Sequence, residues 1–347
     1  MKHRALTATA LVAGLFCQFA NAQDQVSIYG VVDEYVGSVR TATEGKPGVT
    51  TGVVNSGGMT TSFIGFKGSE ELGSGLKAIF NIESFIRMDT GVYGRNDADS
   101  FWGRLAIVGL SSRQWGTVTV GRHVTPYALA TGNFSPLTGS TTFSPSFATV
   151  FKGNVQGDTR NNNSIRYTTP NMGGFVFDGL YSFGTEVQDG PNARQARAVD
   201  AVIRYENGPW GAAIGTRQIN LNANDNGRKQ KAYMAGLKYD FGFMELFGQM
   251  HDSKETFRSN ANLDVKRRVY ELSAGVPVGP GKFTAAYAYS SIDDVNPATP
   301  SQRRVWSLGY DYSLSKRTDI YAVAYRDLQR NVLIEQRILA LGVRHRF

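Results

Sequence analysis

Groups able to do covalent or metal chemistry are sparse in this chain and stand in no reactive arrangement. Beyond the first residues the histidines are His123, His251 and His345. None has the HExxH spacing that sets two imidazoles on one helix face, and none lies beside a cysteine pair, so no zinc site is spelled out. No serine or aspartate clusters with a histidine to form a hydrolytic group. His345 shares its alternating face with Leu341, Val343 and Phe347, the setting of an interfacial side chain rather than a base. Glycines in SGG and GSG fall on turns and form no phosphate loop. The residues ask for no cofactor and no metal, and they argue against an enzyme. What remains is electrostatic. The stretch from Val124 to Asp158 has Lys152 as its only base and Asp158 as its only acid, and it is far longer than a hairpin connection needs. It holds Phe134, Phe143, Phe147 and Phe151 with three prolines, which suits a compact segment packed on a wall; the simpler alternative is a loose surface loop. Just beyond it, Ser164, Arg166 and Thr168 alternate with Ile165 and Tyr167, which sets Arg166 on the polar face of a strand. Arg122 is read in the same way.

The elements that must carry these residues are strands. Of 347 residues, 41% are apolar, only 19% are charged, 12% are aromatic and 39 are glycine, a profile unlike that of a helical enzyme rich in Ala, Leu, Glu and Lys. No long amphipathic helix is visible, whereas period-2 alternation recurs to the last residue. Tyr233, Ala235, Leu237 and Tyr239 share one face, as do Tyr270, Leu272, Ala274 and Val276, and Trp306, Leu308, Tyr310 and Tyr312. At the end, Leu339, Leu341, Val343, His345 and Phe347 stand against Ala340, Gly342, Arg344 and Arg346. Short turns such as EELGSG, NGPWG and VPVGPG alternate with longer polar stretches near 39–58, 89–99, 124–162, 185–197, 220–230, 252–265, 293–301 and 328–336. Short turns at one end and long loops at the other is the pattern of an outer-membrane barrel, and eight long loops imply about sixteen strands. At roughly 10 residues per crossing the length suffices. No linker or low-complexity tract divides the chain, which predicts one domain over 23–347.

The first 22 residues read as a secretory signal peptide: Lys2 and Arg4, an apolar run from Ala5 to Phe19, then Ala20-Asn21-Ala22 as a cleavage pattern. Cys17, the one cysteine, has Phe16 before it where a lipoprotein needs a small residue. It would leave with the leader, and no disulfide framework would remain. No stretch after it could form a transmembrane helix. Aromatics gather where strands meet turns, at Tyr205 with Trp210, Tyr239 with Phe241 and Phe243, and Tyr310 with Tyr312. In a barrel they form interfacial girdles; in a soluble sandwich they are core. The two differ in which face of each strand turns outward.

Several segments resemble the general porins of Gram-negative outer membranes, particularly the beta-proteobacterial branch. VSIYGVVDEYV resembles the first strand of that family, IGFKGSEELGSGLKAIFNIES the second and third, RLAIVGLSSRQWGTVTVGRH the fourth and fifth, NSIRYTTPNMGGF the sixth and its turn, LGYDYSLSKRTDIYAVAY the fourteenth and fifteenth, and GVRHRF the last. The resemblance covers essentially the whole chain after the leader. It implies an all-β fold, a sixteen-stranded antiparallel transmembrane β-barrel with its third long loop folded into the lumen, assembling as a homotrimer. It implies that Phe347 is the terminal aromatic read by the barrel assembly machinery, and that the surroundings are outer-membrane lipid and lipopolysaccharide. It also places Arg104 and Arg160 at positions of a basic cluster on the barrel wall. The third arginine of that cluster falls at Phe63, where this sequence departs; Phe63 either narrows the pore or only removes a charge. Glu83 is expected to supply an opposing carboxylate.

With carboxylates nearly missing from the third loop, the arginines would raise the local concentration of anions and repel cations. The expected function is a general diffusion channel for small hydrophilic solutes and ions, preferring anions, with Arg104, Arg160, Arg122, Arg166, Glu83, Asp158 and Phe63 lining its constriction. If Glu83 and Asp158 only neutralise the arginines, selectivity is weak. Two other readings compete: a substrate-specific outer-membrane channel, and a secreted soluble β-rich adhesin or lectin. The basic residues are scattered along strands without a patch or module, so nucleic acid is not an expected partner.

Overall fold

The computed structural model describes residues 25–185, 195–221, 228–257, 264–293, 301–330 and 334–347. The expected leader, 1–22, lies outside the described residues. Strands β1 (Gln25–Ala42), β2 (Val49–Ser56), β3 (Phe63–Gly73), β4 (Leu76–Arg87), β5 (Val92–Tyr93), β6 (Leu105–Ser112) and β7 (Gly116–Val124) lead to helices α1 (Pro126–Asn133) and α2 (Pro145–Phe151). There follow β8 (Arg160–Thr168), β9 (Phe175–Ser182), β10 (Ala198–Asn207), β11 (Trp210–Asn220), β12 (Arg228–Asp240), β13 (Glu245–Phe257), β14 (Val265–Val278), β15 (Gly281–Asp293), β16 (Gln302–Ser313), β17 (Thr318–Arg330) and β18 (Ile334–Arg346). Every pairing is antiparallel, and β18 returns to β1 from Val31↔Arg346 to Ala42↔Glu335, which closes the sheet. The two-residue β5 pairs only with the end of β4. Because β2 and β3 pair with successive halves of β1, they share one stave, and the barrel has 16 staves.

That split corrects the expected loop at 39–58. Val49–Ser56 pairs with Glu34–Thr41, leaving only 43–48 as a connection. The chain leaves the ladder at 57–62 instead, where Asp33 accepts from the amides of Gly58 at 3.0 Å and Thr60 at 2.7 Å. At the seam the Phe347 N–H donates to the Gly30 carbonyl at 3.1 Å and the Gly30 N–H donates back to the Phe347 carbonyl at 3.2 Å, with the Phe347 ring over the face that Gly30 leaves bare.

The two faces have the sign of a membrane barrel. Tyr233, Leu237, Tyr270, Leu308 and Leu339 are outward and exposed, Leu341 to 64%. Their inward neighbours include the buried Arg217, Glu255, Glu271, Arg303 and Arg344. Water would reject so much exposed apolar surface, whereas lipid accepts it. The apolar clusters inside the barrel form where segment 125–159 meets the wall. Tyr127, Phe134 and Val150 pack on Val202, Met234 and Val269, while Leu137 and Phe143 pack on Tyr35, Val305 and Tyr325. Thr125 and Ser144 cap the two helices by accepting from the amides of Ala128 and Phe147, and proline opens each, so both start where a free amide would otherwise be orphaned.

Candidate pore constriction

Segment 125–159 is held by the inner wall through its own backbone. Arg303 donates to the carbonyls of Ala148 at 2.6 Å and Lys152 at 3.1 Å, groups left open at the end of α2. Arg217 donates to the Asp158 carbonyl at 3.2 Å. Gln249 donates to Thr131 and Phe134, and Gln230 bonds both Asn154 and Gln156. Phe134 lies where Gly236 has no side chain: a Cβ there would meet its ring at 2.6 Å. The wall arginines are themselves neutralised, Arg303 by Asp327 and Arg217 by Asp200.

Across the lumen, three guanidinium groups gather on one aromatic ring. Phe85, on β4, is 1% exposed. Arg160 lies 4.7 Å from its centroid, Arg95 5.2 Å and Arg104 5.8 Å. Arg104 sits closer still, 3.6 Å, over Phe63. Flat guanidinium faces can share an aromatic bed that ammonium groups could not, and the ring quadrupole offsets part of their mutual repulsion.

Their partners differ. Arg104 is ion-paired with Glu83, which also accepts from the Tyr29 hydroxyl, so Glu83 stands beneath the arginine on the neighbouring strand of the same wall. Arg95 forks onto Asp158 at 3.0 and 2.9 Å and onto Asp99 at 2.8 Å from each of two nitrogens. Arg122 donates to the Gly103 carbonyl at 2.7 Å and reaches Asp158 at 3.4 Å. Burial works against ionisation of Asp158, but the Arg95 guanidinium, with Arg160 and Arg122, outweighs it and holds the carboxyl down at about 2. Arg95 likewise holds Asp99 low. Arg160 donates to the Arg104 carbonyl at 2.9 Å and to Thr159 at 2.8 Å, and among the described residues it has no carboxylate within ion-pairing distance. Arg166 forks onto Asp178 at 2.8 and 2.5 Å. Six residues along β8 from Arg160, it belongs to the wall roughly 20 Å away.

Between this wall and the long segment lies a cavity of about 390 Å³, bordered by Arg87, Arg95, Lys152, Arg160 and Asp158 on a bed of Phe85. The facing side contributes Thr141, Thr142, Phe147 and Phe151 and no acid. Phe63 is buried under Arg104 and does not border the cavity.

Arg95 and Phe85 were not singled out from the sequence. For Phe85 the signal was there: Glu83, Phe85 and Arg87 alternate along one face. For Arg95 there was none beyond an acid four residues on. The histidines are structural. His123 bridges Thr119 and Ser164 at 2.8 Å each, His251 bridges Tyr127 and Gln249 at 2.9 and 3.0 Å, and His345 points outward beside Thr318. No group of three metal-capable side chains occurs among the described residues.

Known proteins share both sequence and architecture. The family model for Gram-negative porins matches residues 7–331. Outer membrane porin protein 32 of Delftia acidovorans is 31% identical over 306 residues, 87% of this chain and 83% of its own. An outer membrane porin of Bordetella pertussis is 28% identical over 400 residues, spanning 99% of this chain and all of its own. The structure of an anion-selective porin from Comamonas acidovorans superposes with a TM-score of 0.79 at 27% identity, over 93% of this chain and 100% of that one. The chain therefore belongs to the Gram-negative porin family, an outer-membrane β-barrel channel protein and not an enzyme.

Proposed function

We propose that this general diffusion porin passes small hydrophilic solutes with a preference for anions, selected where segment 125–159 meets the arginine wall. The observation that carries the reading is Arg160. It borders the cavity with no carboxylate partner among the described residues, while the facing side carries no acid and Asp158 is held by two arginines. Fixed uncompensated cations in a narrow polar passage attract anions and exclude cations. The anion-selective porin from Comamonas acidovorans, 27% identical, adds to the case. In this reading Arg104 and Arg122 shape the wall, Glu83 and Asp158 neutralise part of it, and Phe63 is the bed of Arg104 rather than a plug. Arg166, forked onto Asp178 and roughly 20 Å along the strand, belongs to the wall and adds little to the field at the constriction.

The same reading has the chain assembling as a homotrimer and being recognised through Phe347, whose ring is exposed beside the closing seam. The test is the zero-current potential of purified protein in a planar bilayer under a tenfold KCl gradient. A perfectly selective channel gives about 59 mV for a singly charged ion. A potential of the anion sign supports the reading. A potential of the cation sign overturns it.

A further inference from the structure

On the other side of the long segment, toward the short turns, the barrel holds a second polar cavity of about 480 Å³. Its wall comes from β10, β12, β13 and β15, and its roof from Asn133, Ser135 and Thr138. Five charged side chains border it: Arg204, Glu206, Lys238, Glu245 and Lys282.

Four of these cancel in a particular way. Lys238 on β12 lies across Gly211 on β11, where a Cβ would meet its Cε at 2.4 Å, and ends 3.1 Å from Glu206 on β10. Lys282 on β15 lies across Gly275 on β14, at 2.3 Å from the same construction, and ends on Glu245 of β13. Strands two apart are separated by about 9.6 Å, so a lysine can lie flat across that span only where the strand between bears no side chain. Each glycine therefore lays one ammonium along the wall and pins it to a carboxylate.

Arg204 is left over. Its cross-strand neighbours are Val176 and Ala213, and among the described residues no carboxylate reaches it. We infer that Arg204 makes this cavity a second station for a small oxyanion, a carboxylate or phosphate, in transit on the short-turn side of the constriction. A planar guanidinium offers two parallel donors to two oxygens, a geometry that halide ions do not exploit. Two weak sites in series allow entry and release, which one tight site would not. The inference rests on the anion preference proposed above and adds an exit-side site to it.

The experiment measures single-channel chloride current of the purified full-length porin while inorganic phosphate is raised on both sides. Wild type, Arg204→Ala, Arg204→Lys and Arg160→Ala are compared, each first checked for β-rich circular dichroism. Arg204→Ala is expected to raise the half-blocking phosphate concentration about 3-fold to 10-fold, the worth of the forked pair of hydrogen bonds at a half-exposed site. Arg204→Lys keeps the charge and loses the fork, so it shows most of the same shift with a chloride reversal potential like that of wild type. An unchanged phosphate block in Arg204→Ala overturns the inference, as does full phosphate affinity in Arg204→Lys. Failure of the underlying reading shows separately, as a cation-sign reversal potential in wild type.

Discussion

Replacing Arg160 by alanine removes one uncompensated positive charge from the constriction, and the size of the effect follows from the cavity. A volume of about 390 Å³ is that of a sphere with a radius of about 4.5 Å, so an ion at its centre is about 5 Å from the guanidinium. In aqueous surroundings that is about 0.8 kcal/mol of Coulomb energy, reduced to about 0.5 by screening at 0.1 M salt. Anions are then favoured about 2-fold and cations disfavoured by the same factor, so Arg160→Ala is expected to lower the chloride-to-potassium permeability ratio about 5-fold. At 1 M salt the screening length falls to about 3 Å and the change shrinks to less than 2-fold. The assay is the reversal potential under a fixed salt gradient centred on each ionic strength. Arg166→Ala supplies the control, because Arg166 is already forked onto Asp178 and lies about 20 Å along the strand, about two screening lengths at 0.1 M; it should leave the ratio within about 1.5-fold of wild type. An Arg160→Ala effect of equal size at both salt concentrations, or an equal effect from Arg166→Ala, would refute the argument from local charge.

Other consequences follow from the same geometry. Asp158→Asn should strengthen anion preference by a similar factor and loosen the root of segment 125–159, since the lost pairing contributes about 1 kcal/mol after allowance for solvent at a partly exposed carboxylate; open-channel noise and reversal potential together report both. Because the folded carboxyl sits at about 2 against an ordinary 3.8, its contribution is complete above the ordinary value and is lost as pH falls through 2, so wild-type noise should stay flat from pH 7 to about pH 4 and rise below about pH 3, while the asparagine variant shows no such step. Phe63→Arg places a charge at a buried position already covered by Arg104; a lower melting temperature is expected, because the new cation must share Glu83 or remain unpaired. Gly236→Val drives a side chain into the Phe134 ring, and single-channel recordings should show larger and noisier conductance as the end of α1 is displaced.

Much of the barrel could be read from alternation alone, because lipid-facing rows such as Tyr233 and Leu237 repeat every second residue regardless of what lies across the sheet. The long loop announced itself by length and by holding only Lys152 and Asp158 as charges. What alternation cannot supply is pairing across the barrel. The break at 57–62 depends on the Asp33 carboxylate meeting two amides about 26 residues away, so the hairpin before it was read as loop. Glu83 was legible as a counter-charge, and the adjacent stave brings it to Arg104, though alternation alone does not say which of the arginines it pairs with. Arg166 and Arg160 share a strand, yet only the pairing of β8 with β9 brings Asp178 to one of them. Arg95 reaches the site from a polar loop, where residue type carries almost no positional information.

On the proposed reading, selectivity in this barrel is decided by which arginines are left unpaired rather than by how many there are. Arg217, Arg267, Arg303 and Arg344 are all buried on the inner wall, each paired with a carboxylate. A buried guanidinium must be paired, since an uncompensated charge there costs several kcal/mol. Once paired, Arg217 and Arg303 retain donors for the loop carbonyls and contribute rigidity without net field. Arg160 differs by bordering the cavity on an aromatic bed, where the Phe85 ring, the Arg104 carbonyl and Thr159 stand in place of a carboxylate. Adding an acid near Arg160 should therefore weaken anion preference more than deleting any of the paired wall arginines, whose loss would first be felt as movement of the loop. Thr141→Asp, on the facing side of that cavity, separates these two effects: it should cut the permeability ratio about as much as Arg160→Ala while leaving thermal stability unchanged, whereas Arg303→Ala should lower stability and raise channel noise with a smaller change in the ratio.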